Sequence, residues 1–213
     1  MIARYKPYLQ HKEFLVSSLF SIVLLMLSLL INFSAGTYAT DAASNPVTDV
    51  ILSNVPLWNV DAVFVYGTLA FWLFVALVCV AKPQTIPFLL KSISLFVLIR
   101  SLFVSLTHLG PFPTHIAIQS NVLNKFIFGG DLFFSGHTGL PFLLALLFWD
   151  NYALRLLFII SSILFGVLVL LGHLHYSIDV LAAFFITFTI YRLAEFLFKK
   201  DERMFREGIK DLV

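Results

Sequence analysis

Polar and apolar positions fall in long blocks along this chain, without the short alternation of a half-buried strand. Six blocks, at roughly 14–32, 61–81, 86–108, 132–149, 153–172 and 177–197, are almost wholly apolar. About 20 helical residues rise roughly 30 Å, the thickness of a bilayer's hydrocarbon core, so each block predicts a membrane-crossing helix. Arg4, Lys6 and Lys12 ahead of the first block give it the flank of a secretory signal. Its apolar stretch is longer than a signal's h-region, which predicts a retained helix. The pattern therefore predicts an all-α integral membrane protein, a six-transmembrane-helix bundle forming one polytopic domain over 1–213.

Composition sharpens this picture by exclusion. Hydrophobic residues make up 60% of the chain and charged residues 12%, with a mean hydropathy of +0.94. Soluble domains carry about 25% charged residues. A soluble enzyme, a disordered regulator and a nucleic-acid binder are excluded. One cysteine, Cys79, lies inside an apolar block, so no intramolecular disulfide can form.

Charge placement orients the bundle. Arg4, Lys6, Lys12, Lys82, Lys91, Arg155, Arg192, Lys199, Lys200, Arg203, Arg206 and Lys210 all fall on one side of a six-span arrangement, and only Lys125 falls on the other. Positively charged loops stay cytoplasmic, which predicts both termini in the cytoplasm. The stretches 33–60, 109–131 and 172–177 then face the periplasm, lumen or cell exterior. Residues 198–213 mix acids and bases at helical spacing and predict a solvated cytoplasmic helix or tail.

Ionisable residues inside membrane spans are costly and mark function. Two clusters qualify, Asp131 through Ser135-Gly136-His137-Thr138 at the start of the fourth block, and His173 through His175-Tyr176-Ser177-Ile178-Asp179 at the start of the sixth. His137 lies about 13 residues, roughly 20 Å, from the cytoplasmic end of its block, and Asp179 lies equally far from the end of its own. The clusters therefore share a layer at the outer-leaflet face. Arg100, counted from Pro87, reaches the same level and is suited to a bidentate phosphate contact. His175 and Asp179, four apart, would face each other on a helix, the carboxylate fixing the tautomer and freeing the other ring nitrogen as a nucleophile. Hydroxyls and amides of Ser135, Gly136 and Thr138 at a helix start favour an anion. His137 can then protonate a leaving oxygen. Together these residues predict phosphoryl transfer.

The same residues resemble the type-2 phosphatidic acid phosphatase superfamily, with its Ser-Gly-His and His-x3-Asp motifs, and more closely its sphingomyelin synthase-like branch. That branch has Cys-Gly-Asp-x3-Ser-Gly-His-Thr and His-Tyr-Ser/Thr-x-Asp stretches; here they read Gly129-Gly130-Asp131 to Ser135-Gly136-His137-Thr138, and His175-Tyr176-Ser177-Ile178-Asp179. Arg100-Ser101-Leu102-Phe103, with Thr107 and Pro111, resembles its third-helix motif more loosely. The phosphatase branch's Lys-x6-Arg-Pro stretch, and the Ser-Arg before its second His, are absent. The resemblance spans most of 56–197. It implies a lipid phosphotransferase with His175, His137 and Asp179 as its catalytic set, and Arg100, Asp131, Ser135, Gly136, Thr138 and Tyr176 as substrate-binding residues. It implies no metal or other cofactor, a phospholipid donor, and a lipid alcohol or water as acceptor.

Duller readings stand beside these. The His and Asp residues can glue helices together, or, with His173, supply a metal site. Arg100 can pair with Asp61 or Asp131, Asp131 can be an N-cap, and Tyr176 an interfacial aromatic. A lipid phosphatase or phospholipase C-like hydrolase shares the chemistry. A non-catalytic transporter or scaffold is the reading from another class.

Overall fold

The computed structural model describes residues 2–114 and 132–208, so Asp131, Lys125 and the Gly129-Gly130 pair lie outside the described residues. Eight α-helices are present among the described residues and no strand: α1 (Ile2–Gln10), α2 (Lys12–Asp41), α3 (Asp61–Ala81), α4 (Ile86–Leu106), α5 (Gly136–Leu147), α6 (Tyr152–Leu171), α7 (Ser177–Leu197) and α8 (Lys199–Glu207). Five of them, with the 3₁₀ turn Pro83–Thr85 leading into α4, are long and apolar enough to cross a membrane.

The fourth apolar block departs from expectation. Its helix, α5, has 12 residues, about 18 Å at 1.5 Å per residue and too short to cross alone. The block's first residues, 132–135, stay out of the helix because their backbone groups bond elsewhere. The Ser135 side chain caps α5 by accepting from the Thr138 amide. At the other extreme, α2 runs for 30 residues, well past the predicted 14–32.

α4 is the central helix: 56% of its most apolar window is buried, against 17% for α2 and 11% for α3. α2 packs along α4, and α5 packs against both α6 and α7. The large apolar side chains exposed on α2 and α3, such as Leu19, Met26, Leu30, Tyr66 and Leu73, suit a lipid environment. The Phe-rich composition finds its use in the core, where Phe96 meets Phe134 edge-on at 5.3 Å and Phe71 meets Phe158 and Phe165 at 5.9 Å. α5 approaches α4 and α7 so closely at Gly139 that a Cβ there would fall 2.7 Å from the Phe96 ring and 2.8 Å from the Thr187 hydroxyl.

Both ends of the described chain lie at one end of the bundle, beside the 82–85 and 148–151 turns. Tyr8 donates to Gln84 at 3.0 Å, Lys200 pairs with Glu13 at 2.7 Å, and Arg206 with Asp150 at 2.6 Å. Two expectations change here. Lys91 is no flanking charge but a buried residue of α4, 2.5 Å from Asp201 of α8. The helix expected to be solvated is therefore docked through buried Asp201 and Met204.

Candidate active site

At the opposite end, three backbone groups just ahead of α5 organise the polar cluster. The Leu132 carbonyl lies 2.8 Å from Nδ1 of His175. The Phe134 carbonyl accepts from Nε of Arg100 at 2.9 Å. The Ser135 amide donates to the Asp179 carbonyl at 3.2 Å. Each of these groups would be spent on the helix ladder if α5 began earlier.

His175 is held differently from the sequence expectation. α7 begins at Ser177 with Tyr176 as N-cap, so His175 precedes the helix and the one-face geometry of residues four apart does not apply. Asp179 is the third helical residue and accepts from the Tyr176 amide at 2.8 Å, one half of a capping box. Its Oδ2 lies 3.6 Å from His175 Nδ1, beyond a hydrogen bond. A carbonyl can only accept, so the Leu132 contact places the neutral ring's proton on Nδ1 and leaves the Nε2 lone pair open. The tautomer is set by the backbone; the carboxylate supplies nearby negative charge. Asp179 is fully buried, and its Oδ1 has no hydrogen-bond partner among the described residues.

His137 is the second residue of α5, its ring 4.4 Å from that of Phe64. Both His175 and Arg100 are close enough for their charges to act on it. Pro141 cannot donate to the His137 carbonyl, which loosens the first turn of the helix. Arg100 and His137 line one cavity of about 240 Å³ with Thr68, Asn32, Phe71 and Trp72. Gly136 stands beside them, with Nε of Arg100 3.4 Å from where a Cβ would lie.

Ser135 and Thr138 lie at the helix start but are fully buried. The Thr138 hydroxyl donates to Ser135 Oγ at 3.1 Å, and Ser162 donates to the Thr138 carbonyl at 2.7 Å. The open donors at this helix start are the amides of Gly136 and His137, which have no place in the ladder. Tyr176 is buried and committed to structure: its hydroxyl donates to the Gly110 carbonyl at 2.8 Å and accepts from the Val47 amide at 3.2 Å. His173 contacts Thr114 through Nδ1 and lies 3.2 Å from the Val55 carbonyl through Nε2. No three His, Cys, Asp or Glu side chains converge as a metal site among the described residues.

Asp49 is a site neighbour that the motifs do not reveal. One carboxylate oxygen accepts from Ile51 and Leu52 amides at 2.8 and 3.0 Å, the other from the Ser177 amide and hydroxyl at 2.7 and 2.8 Å. A loop between α2 and α3 thus clamps the N-terminus of α7, where an anion is favoured. Burial pushes the Asp49 carboxyl up, but the Leu52, Ser177 and Ile51 bonds outweigh it and hold it below the ordinary value.

These features define a class: an all-helical, multi-pass membrane protein with two histidines, an arginine and a buried aspartate gathered at one end of the bundle. Residues 129–196 match the family described as PAP2 superfamily C-terminal. That match supports the phosphatidic acid phosphatase superfamily, whose members are phosphoesterases or phosphotransferases. No curated protein and no solved structure matches the chain.

Proposed function

We propose that the protein is a membrane lipid phosphotransferase of the sphingomyelin synthase-like type, moving a phosphoryl headgroup between lipids through a phosphohistidine. One observation carries this reading: His175 Nδ1 is tied to a carbonyl, which leaves Nε2 as the nucleophilic nitrogen. In the first step Nε2 attacks the donor phosphorus. An N–P bond forms, the P–O bond to the departing lipid breaks, and protonated His137 gives its proton to that oxygen. The imidazolium charge on His175 is offset by Asp179. In the second step a lipid alcohol loses its proton to His137 and attacks phosphorus, and the N–P bond breaks. Arg100 and the amides of Gly136 and His137 hold the phosphoryl oxygens. Asp131, outside the described residues, keeps the substrate-binding role that the motif implies. The lysine and arginine distribution supports both termini in the cytoplasm and the site at the outer-leaflet face, with residues 132–147 together making a sixth passage.

Water in place of the lipid alcohol turns the same chemistry into hydrolysis. Purified protein incubated with headgroup-labelled phospholipids, with and without ceramide or diacylglycerol, separates the outcomes. A new labelled lipid that requires the added alcohol is the expected product. Released phosphate or phosphorylated headgroup alone would establish a hydrolase, and no turnover of any lipid would favour a transporter or scaffold.

A further inference from the structure

Hydroxyls on membrane helices usually satisfy themselves on a carbonyl one turn back, and this chain follows that habit. Thr37 donates to Phe33 at 2.9 Å, Thr40 to Gly36 at 2.8 Å, Ser94 to Leu90 at 2.7 Å and Thr189 to Phe185 at 3.1 Å. Four helix hydroxyls do not: those of Ser18, Thr68, Ser92 and Thr187 are buried with no partner among the described residues. Of these four, Thr68 of α3 lines the cavity that holds Arg100 and His137. Asn32 of α2 also lines the cavity, its side-chain carboxamide 3.4 Å from the Ser101 hydroxyl, which itself donates to the Val97 carbonyl at 2.8 Å. A buried hydroxyl without a partner carries a desolvation cost that a ligand's polar atom removes.

Position along the helix says which atom that is. Phe64, one turn before Thr68, packs against the His137 ring. Thr68 therefore lies about 6 Å from the level of His137, between the charged head of the cavity and the apolar walls formed by Phe71, Trp72 and Leu29. Leu29 is 47% exposed, so the cavity reaches the side of the bundle, and α2 and α3 do not pack along one another there. Charged end, polar collar and apolar exit follow the order of phosphate, acyl carbonyl and hydrocarbon in a lipid. We infer that Thr68 and Asn32 form the collar, donating to the acyl carbonyl of the lipid in this cavity. The inference rests on the lipid phosphotransfer reading for the phosphate's place. The carbonyl can belong to a phospholipid donor or to a lipid alcohol acceptor, and both are acyl lipids.

The test reads binding through Trp72, with Trp58→Phe and Trp149→Phe removing the other two tryptophans. The protein is placed in dialkyl ether phospholipid vesicles and titrated with small fractions of brominated diacyl phosphatidylcholine or brominated diacylglycerol. Preferential quenching of Trp72 is expected, by the phospholipid if the subsite serves the donor and by diacylglycerol if it serves the acceptor. Thr68→Val and Asn32→Leu should each weaken it roughly tenfold, and Thr68→Ser should keep it. A brominated ether lipid should quench the unmodified collar no better than the diacyl lipid quenches Thr68→Val. Equal quenching by diacyl lipid in Thr68→Val and the parent would overturn the inference. Intact, Thr68-dependent quenching in a protein that turns over no lipid would sink the phosphotransfer reading and leave the subsite standing.

Discussion

At the end of the bundle that carries the termini, charge meets charge. Lys91 lies against Asp201 with Ser17 beside them, and Arg206 reaches Asp150, Glu195 and Glu202. At the site end, Arg100 and His175 are each steered by a carbonyl, Tyr176 by a carbonyl and an amide, and Asp49 by three amides and a hydroxyl. A carboxylate partner adds charge as well as direction; a backbone carbonyl or amide adds direction alone. Ion pairs at one end dock α8 and close the bundle. At the other end, backbone carbonyls and amides add directional contacts that fix how Arg100, His175 and Tyr176 are turned. Burying a paired charge is a structural choice, whereas a preorganised site needs charge directed at the reacting atoms.

Cutting one cation at each end breaks this comparison most sharply. Arg100→Ala should leave a folded protein whose lipid turnover falls about 10³-fold, as loss of a phosphate-directed donor does. Lys91→Met should do the opposite. It strands buried Asp201 and should cost about 3–5 kcal/mol of stability in detergent, with turnover per folded molecule unchanged. The double change Lys91→Met with Asp201→Leu should recover most of that stability.

Asp179→Asn sharpens the account of the two partners of His175. In a triad whose carboxylate sets the tautomer, the corresponding change costs about 10⁴ in rate. Here the Leu132 carbonyl sets it, so the loss should be nearer 10²-fold, from the missing negative charge alone. A 10⁴-fold loss in steady-state turnover, with the thermal unfolding curve unmoved, would return the orienting role to Asp179.

The smallest effect is expected at the clamp. Asp49→Asn replaces an acceptor facing the Ser177 amide with a donor and should cost about 2 kcal/mol. A carboxyl held low by the fold contributes its stability above the unfolded value near 3.8, and loses it as pH falls through the lower folded value. Stability of the two proteins should therefore differ at neutral pH and converge as the solution is acidified through that range.

α3, α4, α6 and α7 are legible from apolar blocks because lipid demands length and hydrophobicity, and both leave a plain trace. The short α5 is hidden, since Leu132, Phe133 and Phe134 look like helix interior while the carbonyls of Leu132 and Phe134 serve His175 and Arg100. Every residue type carries a carbonyl, so side-chain motifs give no sign of this. The displaced start of α7 has a signal in Asp179, three residues beyond a cap position, which reads as helix punctuation as readily as chemistry. Asp49 is remote in sequence from Ser177, and only folding joins them. Asp201 lies in a charged stretch that looks solvated until Lys91, inside an apolar block, is recognised as its partner.

In the proposed mechanism His175 Nε2 takes the phosphoryl group while His137 handles the proton. The direct measurement is quenching the reaction with a phosphorus-labelled donor and counting acid-labile, base-stable label on the protein. The expected result is label on the unmodified protein, none on His175→Ala, and slowly formed label on His137→Ala that a donor with a better leaving group restores. Equal label on His175→Ala and the unmodified protein, or label that vanishes only with His137, would contradict it.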